Sequence, residues 1–253
     1  MTTTHDDNAP IALVTGANRG LGRAVARRLG QAGATVLIGS RDTASAQAVA
    51  ESLRAAGLKA WPVTLDVTVD ADAVAAAERI EREYGRLDIL VNNAGILPEA
   101  TAPDLERPLD LARFRTTFET NLFGAVAVTQ AMLPLLRRSG AGRIVNVSTT
   151  MGSLTEQLDP RSPYFGLVLP AYQGSKAALN ALTIALSKSL ADTSILVNSV
   201  CPGWVQTDLG GPDNRAAAPT PAKEASRIVA DMALLGADGP SGTFVDAAGP
   251  VAW

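Results

Sequence analysis

The chain has 253 residues, with 22 Lys and Arg against 25 Asp and Glu, one His and one Cys. A single cysteine excludes an intrachain disulfide, and one Cys with one His cannot assemble the usual zinc ligand sets. The lone His5 sits in a polar leader, residues 1–9, which excludes hydrolase triads built on a histidine base and leaves the leader as an unanchored tail. A net charge of −3 gives no basic face for nucleic acid, no uncharged apolar run nears the roughly 18 residues of a membrane span, and the first residues lack signal-peptide order. These observations predict a metal-free cytoplasmic protein with neither nucleic acid nor membrane as partner.

Short β-branched runs predict seven strands, at Ile11–Thr15, Thr35–Ile38, Trp61–Leu65, Leu87–Asn92, Arg143–Val147, Ile195–Cys201 and Thr243–Val245. Most are apolar on successive residues, as a sheet covered on both faces requires, so parallel pairing is expected. Helical spacing falls between them, at Leu21–Gln31, Ala44–Ala55, Ala71–Glu83, Leu111–Arg138, Ala171–Ala191 and Ala222–Leu235. Strict β, α alternation predicts an α/β fold, a single doubly wound Rossmann-type domain over residues 10–253 with helices on both faces. Ligands of such folds sit beyond the carboxyl ends of the strands, near the reversal of strand order.

The segment Thr15 to Gly22 leaves the first strand and opens the first helix. Gly16, Gly20 and Gly22 let the backbone turn tightly and approach a pyrophosphate, and Asn18, Arg19 and Leu21 complete a helix start whose free N–H groups attract anions. An NAD site would place an acid at the end of the second strand, where this chain has Ser40 followed by Arg41. Asp42 lies one residue further on, past the strand. Ser40, Arg41 and Arg19 suit a ribose 2′-phosphate, which favours NADP(H) over NAD(H).

In order along the chain come the cradle, Asp66-Val67, Asn92-Asn93-Ala94-Gly95, Asn121, the hydroxyl pair Ser148-Thr149, Tyr172-x-x-x-Lys176, and Pro202-Gly203 with Thr207. From about Ile11 to the C-terminus this set resembles the short-chain dehydrogenase/reductase family. The resemblance implies that Asp66 contacts the adenine, with Val67 beside it, and that Asn93, Ala94 and Gly95 line the nucleotide crevice. It also implies that Pro202, Gly203, Val205 and Thr207 flank the nicotinamide amide, and that Asn121 holds water passing protons to the lysine.

The residues give part of this independently. Tyr172 and Lys176, at i and i+4, share one helix face, so a cation can lower the phenol's pKa and make Tyr172 a general acid or base. By the resemblance, Lys176 reaches the nicotinamide ribose. Aligned on Arg143–Val147 and Gly152, the family's catalytic serine falls on Thr149, whose hydroxyl can donate the same hydrogen bond; Ser148 is the alternative. Cys201, before Pro202, reads as a small core residue at a strand end.

Two segments, 150–170 and 204–221, are expected to form the substrate walls. Met151, Leu154, Leu158, Tyr164, Phe165, Leu167 and Leu169 in the first, with Trp204 and Leu209 in the second, favour a small apolar carbonyl or alcohol substrate. The tail and the Cys201–Asp208 stretch most resemble the carbonyl-reductase branch, implying NADPH-dependent reduction of a ketone or aldehyde. Alternatives are an NAD(P)-dependent alcohol dehydrogenase, a 3-ketoacyl reductase and, outside enzymes, a nucleotide-sensing regulator. Segments 111–138 and 171–191 are those that family members pack between subunits, so a homodimer, a homotetramer or a monomer is expected.

Overall fold

The protein is described here by a computed structural model covering residues 9–102 and 109–253. Residues 1–8 of the expected tail, with His5, lie outside the described residues. Ala9 corrects the tail's boundary: it is buried, and its carbonyl accepts from Arg86 Nη2 at 3.3 Å.

Eight strands form one sheet: β1 (Ile11–Thr15), β2 (Thr35–Ser40), β3 (Ala60–Thr64), β4 (Ile89–Asn92), β5 (Arg143–Val147), β6 (Leu196–Val200), β7 (Phe244–Asp246) and β8 (Gly249–Pro250). Their spatial order is β3-β2-β1-β4-β5-β6-β7-β8. All neighbouring pairs up to β7 are parallel, and β8 returns antiparallel on β7. The order reverses between β1 and β4, which puts the ligand crevice at the ends of those two strands.

The helices are α1 (Gly20–Gln31), α2 (Thr43–Ala55), α3 (Asp70–Tyr84), α4 (Leu111–Phe118), α5 (Gly124–Arg137), α6 (Leu154–Leu158), α7 (Pro170–Ser189), α8 (Gly211–Ala217) and α9 (Ala222–Ala233). Successive strand residues feed opposite faces of the sheet. Ala12, Val14, Val36, Ile38 and Val145 pack with Val25, Leu29, Val49, Leu53 and Val229 of α1, α2 and α9. Ile11, Leu13, Leu37, Leu90 and Ile144 pack with Ile80, Val128, Met132 and Leu136 of α3 and α5. Two cores therefore explain the unbroken apolar runs, and each fully buried Leu or Ile contributes about 1.5–3 kcal/mol.

One row across the sheet is polar. Asn92, Asn146 and Ser199 stand in register on β4, β5 and β6. Asn92 Nδ2 donates to Thr129 Oγ1 of α5 (3.0 Å) and to Asn146 Oδ1 (2.9 Å). Asn146 Nδ2 donates to Thr183 Oγ1 of α7 (2.8 Å), which lies 2.8 Å from Ser199 Oγ. The side-chain amide nitrogens of the row all donate within it, while Asn92 Oδ1 is left without a partner among the described residues.

The stretch expected as one helix over 111–138 departs from that pattern. A π-helical turn, Glu119–Phe123, separates α4 from α5. It carries Asn121, whose amide is tied to Ile96 and Ser175, and such widened turns occur where tertiary contacts hold a residue out of the regular ladder. The short α6 and α8 lie inside segments expected as loops, because five and seven residues are too few for apolar periodicity to register. The two-residue β8 escapes sequence reading for the same reason.

Candidate active site

The glycine turn meets the ends of β1 and β4. Gly16 and Gly20 have φ of 62° and 52°, backbone that L side chains rarely adopt. A Cβ on Gly22 would lie 2.5 Å from Asn93 Nδ2 and 2.5 Å from the Gly16 carbonyl. Asn93 braces the turn, donating through Nδ2 to the Thr15 carbonyl (2.8 Å), while Thr15 Oγ1 accepts from the backbone of Asn93 and Ala94 at 3.0 Å each. Helix α1 has no side-chain cap and no acid in its first turn, so its free N–H groups and dipole end suit an anion. Asn18 donates to Ser45 Oγ on α2 (3.0 Å), and Leu21 packs against the α1 core.

At the end of β2, Ser40 is buried and Arg41 is exposed. Ser40 Oγ accepts from the Asp42 backbone (3.1 Å). The Asp42 carboxylate caps α2, accepting from Ala44 and Ser45; hydrogen bonds, the Ser45 side chain's foremost, hold its carboxyl below the usual range. That acid is engaged in its own helix, away from the role of a ribose-binding carboxylate. Arg19 is exposed and lies 3.9 Å from Asp208, which also pairs with Arg215 at 2.8 Å. Asp66 Oδ1 accepts from the Thr68 backbone and hydroxyl, fixing the turn after β3, and Val67 is buried against Gly124.

The catalytic candidates converge around Gly95. A Cβ there would lie 3.4 Å from Asn121 Oδ1 and 3.6 Å from Lys176 Nζ. Asn121 Oδ1 accepts from the Ile96 N–H (2.8 Å), and Nδ2 donates to the Ile96 carbonyl (3.0 Å) and to Ser175 Oγ (3.1 Å). Tyr172 and Lys176 lie on the buried side of α7. Lys176 Nζ donates to the Val147 carbonyl at 2.8 Å and stands 6.0 Å from the centre of the Tyr172 ring.

The expected electrostatics are corrected here. Burial, with a smaller effect from the Cys201 thiol, raises the Tyr172 phenol well above its ordinary value. Burial also lowers Lys176 to about 8. The Lys176 ammonium, 6.0 Å from the ring centre, does not reverse the effect of complete burial. Desolvation therefore outweighs the lysine in the chain alone.

After β5, the two hydroxyls point to different surroundings. Ser148 is buried and its Oγ has no partner among the described residues. Thr149 is partly exposed and its Oγ1 accepts from the Met151 N–H at 3.2 Å. The following turn packs tightly on α7: a Cβ on Gly152 would lie 2.8 Å from Lys176 Cβ. After β6, Cys201 is buried, as expected of a strand-end core residue, Pro202 is half-buried, and Gly203 turns with φ of 81°. Val205 bridges to Thr220, and a Cβ on Gly20 would lie 3.2 Å from Thr207 Cγ2, which brings this segment over the cradle.

The two segments expected as substrate walls carry exposed apolar side chains, including Leu154, Leu158, Phe165, Leu167, Trp204 and Leu209. Tyr164 is half-buried, and burial raises its phenol. Sequence reasoning missed three anchors of these segments. Gln173 Nε2 donates to the Leu167 carbonyl, the Trp253 carbonyl accepts from Thr155 N (3.1 Å) and Oγ1 (2.8 Å), and Glu99 meets the start of α7. The signal for Glu99 was a lone acid in the apolar run Ile96-Leu97-Pro98-Glu99-Ala100, facing a helix that opens with Leu169-Pro170 and has no cap of its own.

The sheet order, the glycine turn and the Tyr-Lys helix together define a nucleotide-dependent oxidoreductase of the doubly wound class. The family model described as short chain dehydrogenase matches residues 10–218. A short-chain dehydrogenase of Penicillium roqueforti is 36% identical over 212 residues, covering 80% of this chain and 81% of its own. The NADPH-bound carbonyl reductase from chicken fatty liver superposes with a TM-score of 0.80 at 28% identity, covering 97% of this chain and 99% of that one. The 3-ketoacyl-(acyl-carrier-protein) reductase of Brucella melitensis, complexed with NADH, superposes with a TM-score of 0.79 at 27% identity, covering 96% and 98%. This chain belongs to the short-chain dehydrogenase/reductase family, whose members bind NAD(P)(H).

Proposed function

We propose that the protein reduces an uncharged, hydrophobic ketone or aldehyde to its alcohol with NADPH. The observation that carries this reading is the buried Tyr172 and Lys176 pair set beside the Gly95 crevice at the sheet's reversal point. The cradle fits a dinucleotide: Gly16, Gly20 and Gly22 form a tight turn packed against Ala94, Thr207 and Asn93 that side chains would break, and the open start of α1 with Asn18, Arg19 and Leu21 receives the pyrophosphate. Ser40 and Arg41, with Arg19, would take the 2′-phosphate; Asp66 and Val67 would border the adenine; Asn93 to Gly95 would line the nucleotide crevice, and Pro202, Gly203, Val205 and Thr207 would flank the nicotinamide amide. When bound, that cofactor supplies the hydride.

The chain's own residues supply the rest. The Thr149 hydroxyl donates to the substrate oxygen and fixes its position. Tyr172, kept protonated at neutral pH by burial, gives its phenolic proton to that oxygen as negative charge develops there. Lys176, lowered to about 8 and still largely cationic at pH 7, steadies the phenolate left behind and reaches the ribose hydroxyls. Asn121, beside Lys176 at the Gly95 crevice, orders the water that returns the proton. The apolar side chains of 150–170 and 204–221 favour a hydrophobic substrate.

A 3-ketoacyl substrate is the second reading, supported by the similarity to the Brucella reductase. Among the described residues no helix is long and apolar enough to cross a membrane, and no cluster of His, Cys, Asp and Glu could hold a metal. We propose a cytoplasmic location and either a homodimer or homotetramer packed through α4, α5 and α7 or a monomer, states that light scattering distinguishes. The function is tested by following NADPH oxidation with aryl ketones, aldehydes, quinones and a 3-ketoacyl thioester. Turnover of the first three, abolished in Tyr172→Phe, is the expected result; turnover of the thioester alone selects the second reading.

A further inference from the structure

We propose that Glu99 is a positioning residue for Tyr172, holding the start of the catalytic helix against the nucleotide crevice. The inference rests on the reading of Tyr172 as the acid-base group. Glu99 is 3% exposed, in a 3₁₀ turn (Pro98–Thr101) that follows the crevice residues Asn93 to Gly95. Its Oε1 accepts from the Ala171 N–H at 2.9 Å, and its Oε2 accepts from the Tyr172 N–H at 2.8 Å. Both carboxylate oxygens are thus spent on consecutive amides of the first turn of α7, one of them the amide of the tyrosine itself.

The local sequence makes this contact necessary. Helix α7 opens with Leu169 at the cap position, which offers no side-chain acceptor, and Pro170 at the first turn, which has no N–H. Ala171 and Tyr172 are the next amides, and in a buried setting they need an acceptor. The acceptor comes from 72 and 73 positions earlier in the chain. An anionic acceptor also complements the positive end of a 20-residue helix.

This cap spans two parts of the site. The chain runs from the crevice through Ile96, which Asn121 grips on both sides, to Glu99, which grips Tyr172. The same turn touches the second substrate segment, where Thr101 Cγ2 would lie 2.7 Å from a Cβ on Gly211. Glu99 therefore fixes how far the Tyr172 hydroxyl stands from the crevice where the hydride is delivered. Misplacement of a reacting group by about 1 Å costs on the order of 100-fold in rate. A residue with this duty acts chiefly on the chemical step, since most of the cofactor's contacts are set by the cradle on the other side of the crevice.

The test compares wild type, Glu99→Gln, Glu99→Ala and Tyr172→Phe in the full chain, with NADPH and a carbonyl compound that the wild type reduces. Glu99→Gln keeps the shape and one acceptor, so a fall in kcat of about tenfold is expected, and about 100-fold in Glu99→Ala. NADPH Kd by fluorescence titration should stay within twofold, and the primary isotope effect with 4-deuterated NADPH should rise as hydride transfer becomes limiting. The proposal is overturned if folded Glu99→Gln keeps wild-type kcat and isotope effect, or if its kcat and NADPH Kd worsen together. Should Glu99→Ala not fold, Glu99→Gln decides alone. An active Tyr172→Phe would instead remove the acid-base reading, whatever the Glu99 variants do.

Discussion

At the scale of single residues, the two hydroxyls after β5 make opposite offers to a substrate. Ser148 is enclosed, whereas Thr149 is partly open and bonded only to the next turn. Thr149→Val should lower kcat by about 100-fold with NADPH affinity unchanged, while Thr149→Ser should keep most activity; steady-state kinetics and cofactor titration check both. Lys176 carries a consequence for stability. The unfolded lysine holds its proton to about 10.5, the folded one only to about 8. Between those values the unfolded chain binds more protons, so raising the pH favours the folded state through this group. Below pH 8 the cost of burying the cation is present in full. Lys176→Met should therefore melt at a higher temperature than wild type at pH 7, with the gap closing towards pH 10.5; thermal scans across that range measure it. The i, i+4 spacing made the Tyr172 and Lys176 pair legible in the sequence. The raised phenol was not, because burial depends on what α4, the π-helical turn and the turn after β5 lay over the helix.

Among the elements, those with apolar repeats were readable and those made by capping were not. The seven long strands and the helices α1, α2, α3, α7 and α9 follow their periodicities closely. The π-helical turn at Asn121 has no signature in apolar spacing, since Ile96 and Ser175 create it from other parts of the chain. The cradle's dependence on glycine can be checked directly. In Gly22→Ala the new methyl would meet Asn93 Nδ2 and the Gly16 carbonyl at 2.5 Å, so both the brace and the turn must move. We expect NADPH Kd to rise by more than tenfold, while far-ultraviolet circular dichroism stays native. Gly152→Ala acts on the other side of the site. Its methyl would sit 2.8 Å from Lys176 Cβ and 2.9 Å from that residue's backbone carbon. That variant should lose kcat and, because Lys176 also reaches the ribose, weaken NADPH binding by less than Gly22→Ala does; stopped-flow and titration measure both.

For the whole molecule, the proposed site links cofactor and sheet: the cradle joins β1, β4 and α1, and the residues proposed for the nicotinamide end lie on β5, β6 and α7 and the loops after them. A ligand that binds only the folded state at about 100 times its Kd adds about 2.7 kcal/mol. For a chain of this size each kcal/mol raises Tm by about 2–4 °C. NADPH should therefore shift Tm by about 5–11 °C at that ratio, and NADH less at equal concentration; Arg41→Ala should narrow the difference between them. An unchanged difference would remove Arg41 from the 2′-phosphate site.

The row of Asn92, Asn146 and Ser199 has a bearing on which folds are avoided. Side chains alternate along a strand, so sliding β5 by one position against β4 would turn Asn146 towards the α1 and α9 core and put an aliphatic residue opposite Asn92. Asn92 would lose Asn146 as a partner and Asn146 would lose both Asn92 and Thr183, and each stranded buried polar group costs about 1–3 kcal/mol. Apolar contacts alone would tolerate such a slip, since valine and isoleucine occupy both faces. The central amides make the mispaired sheet expensive, and so hold the ends of β4, β5 and β6 level, where the crevice is built from all three.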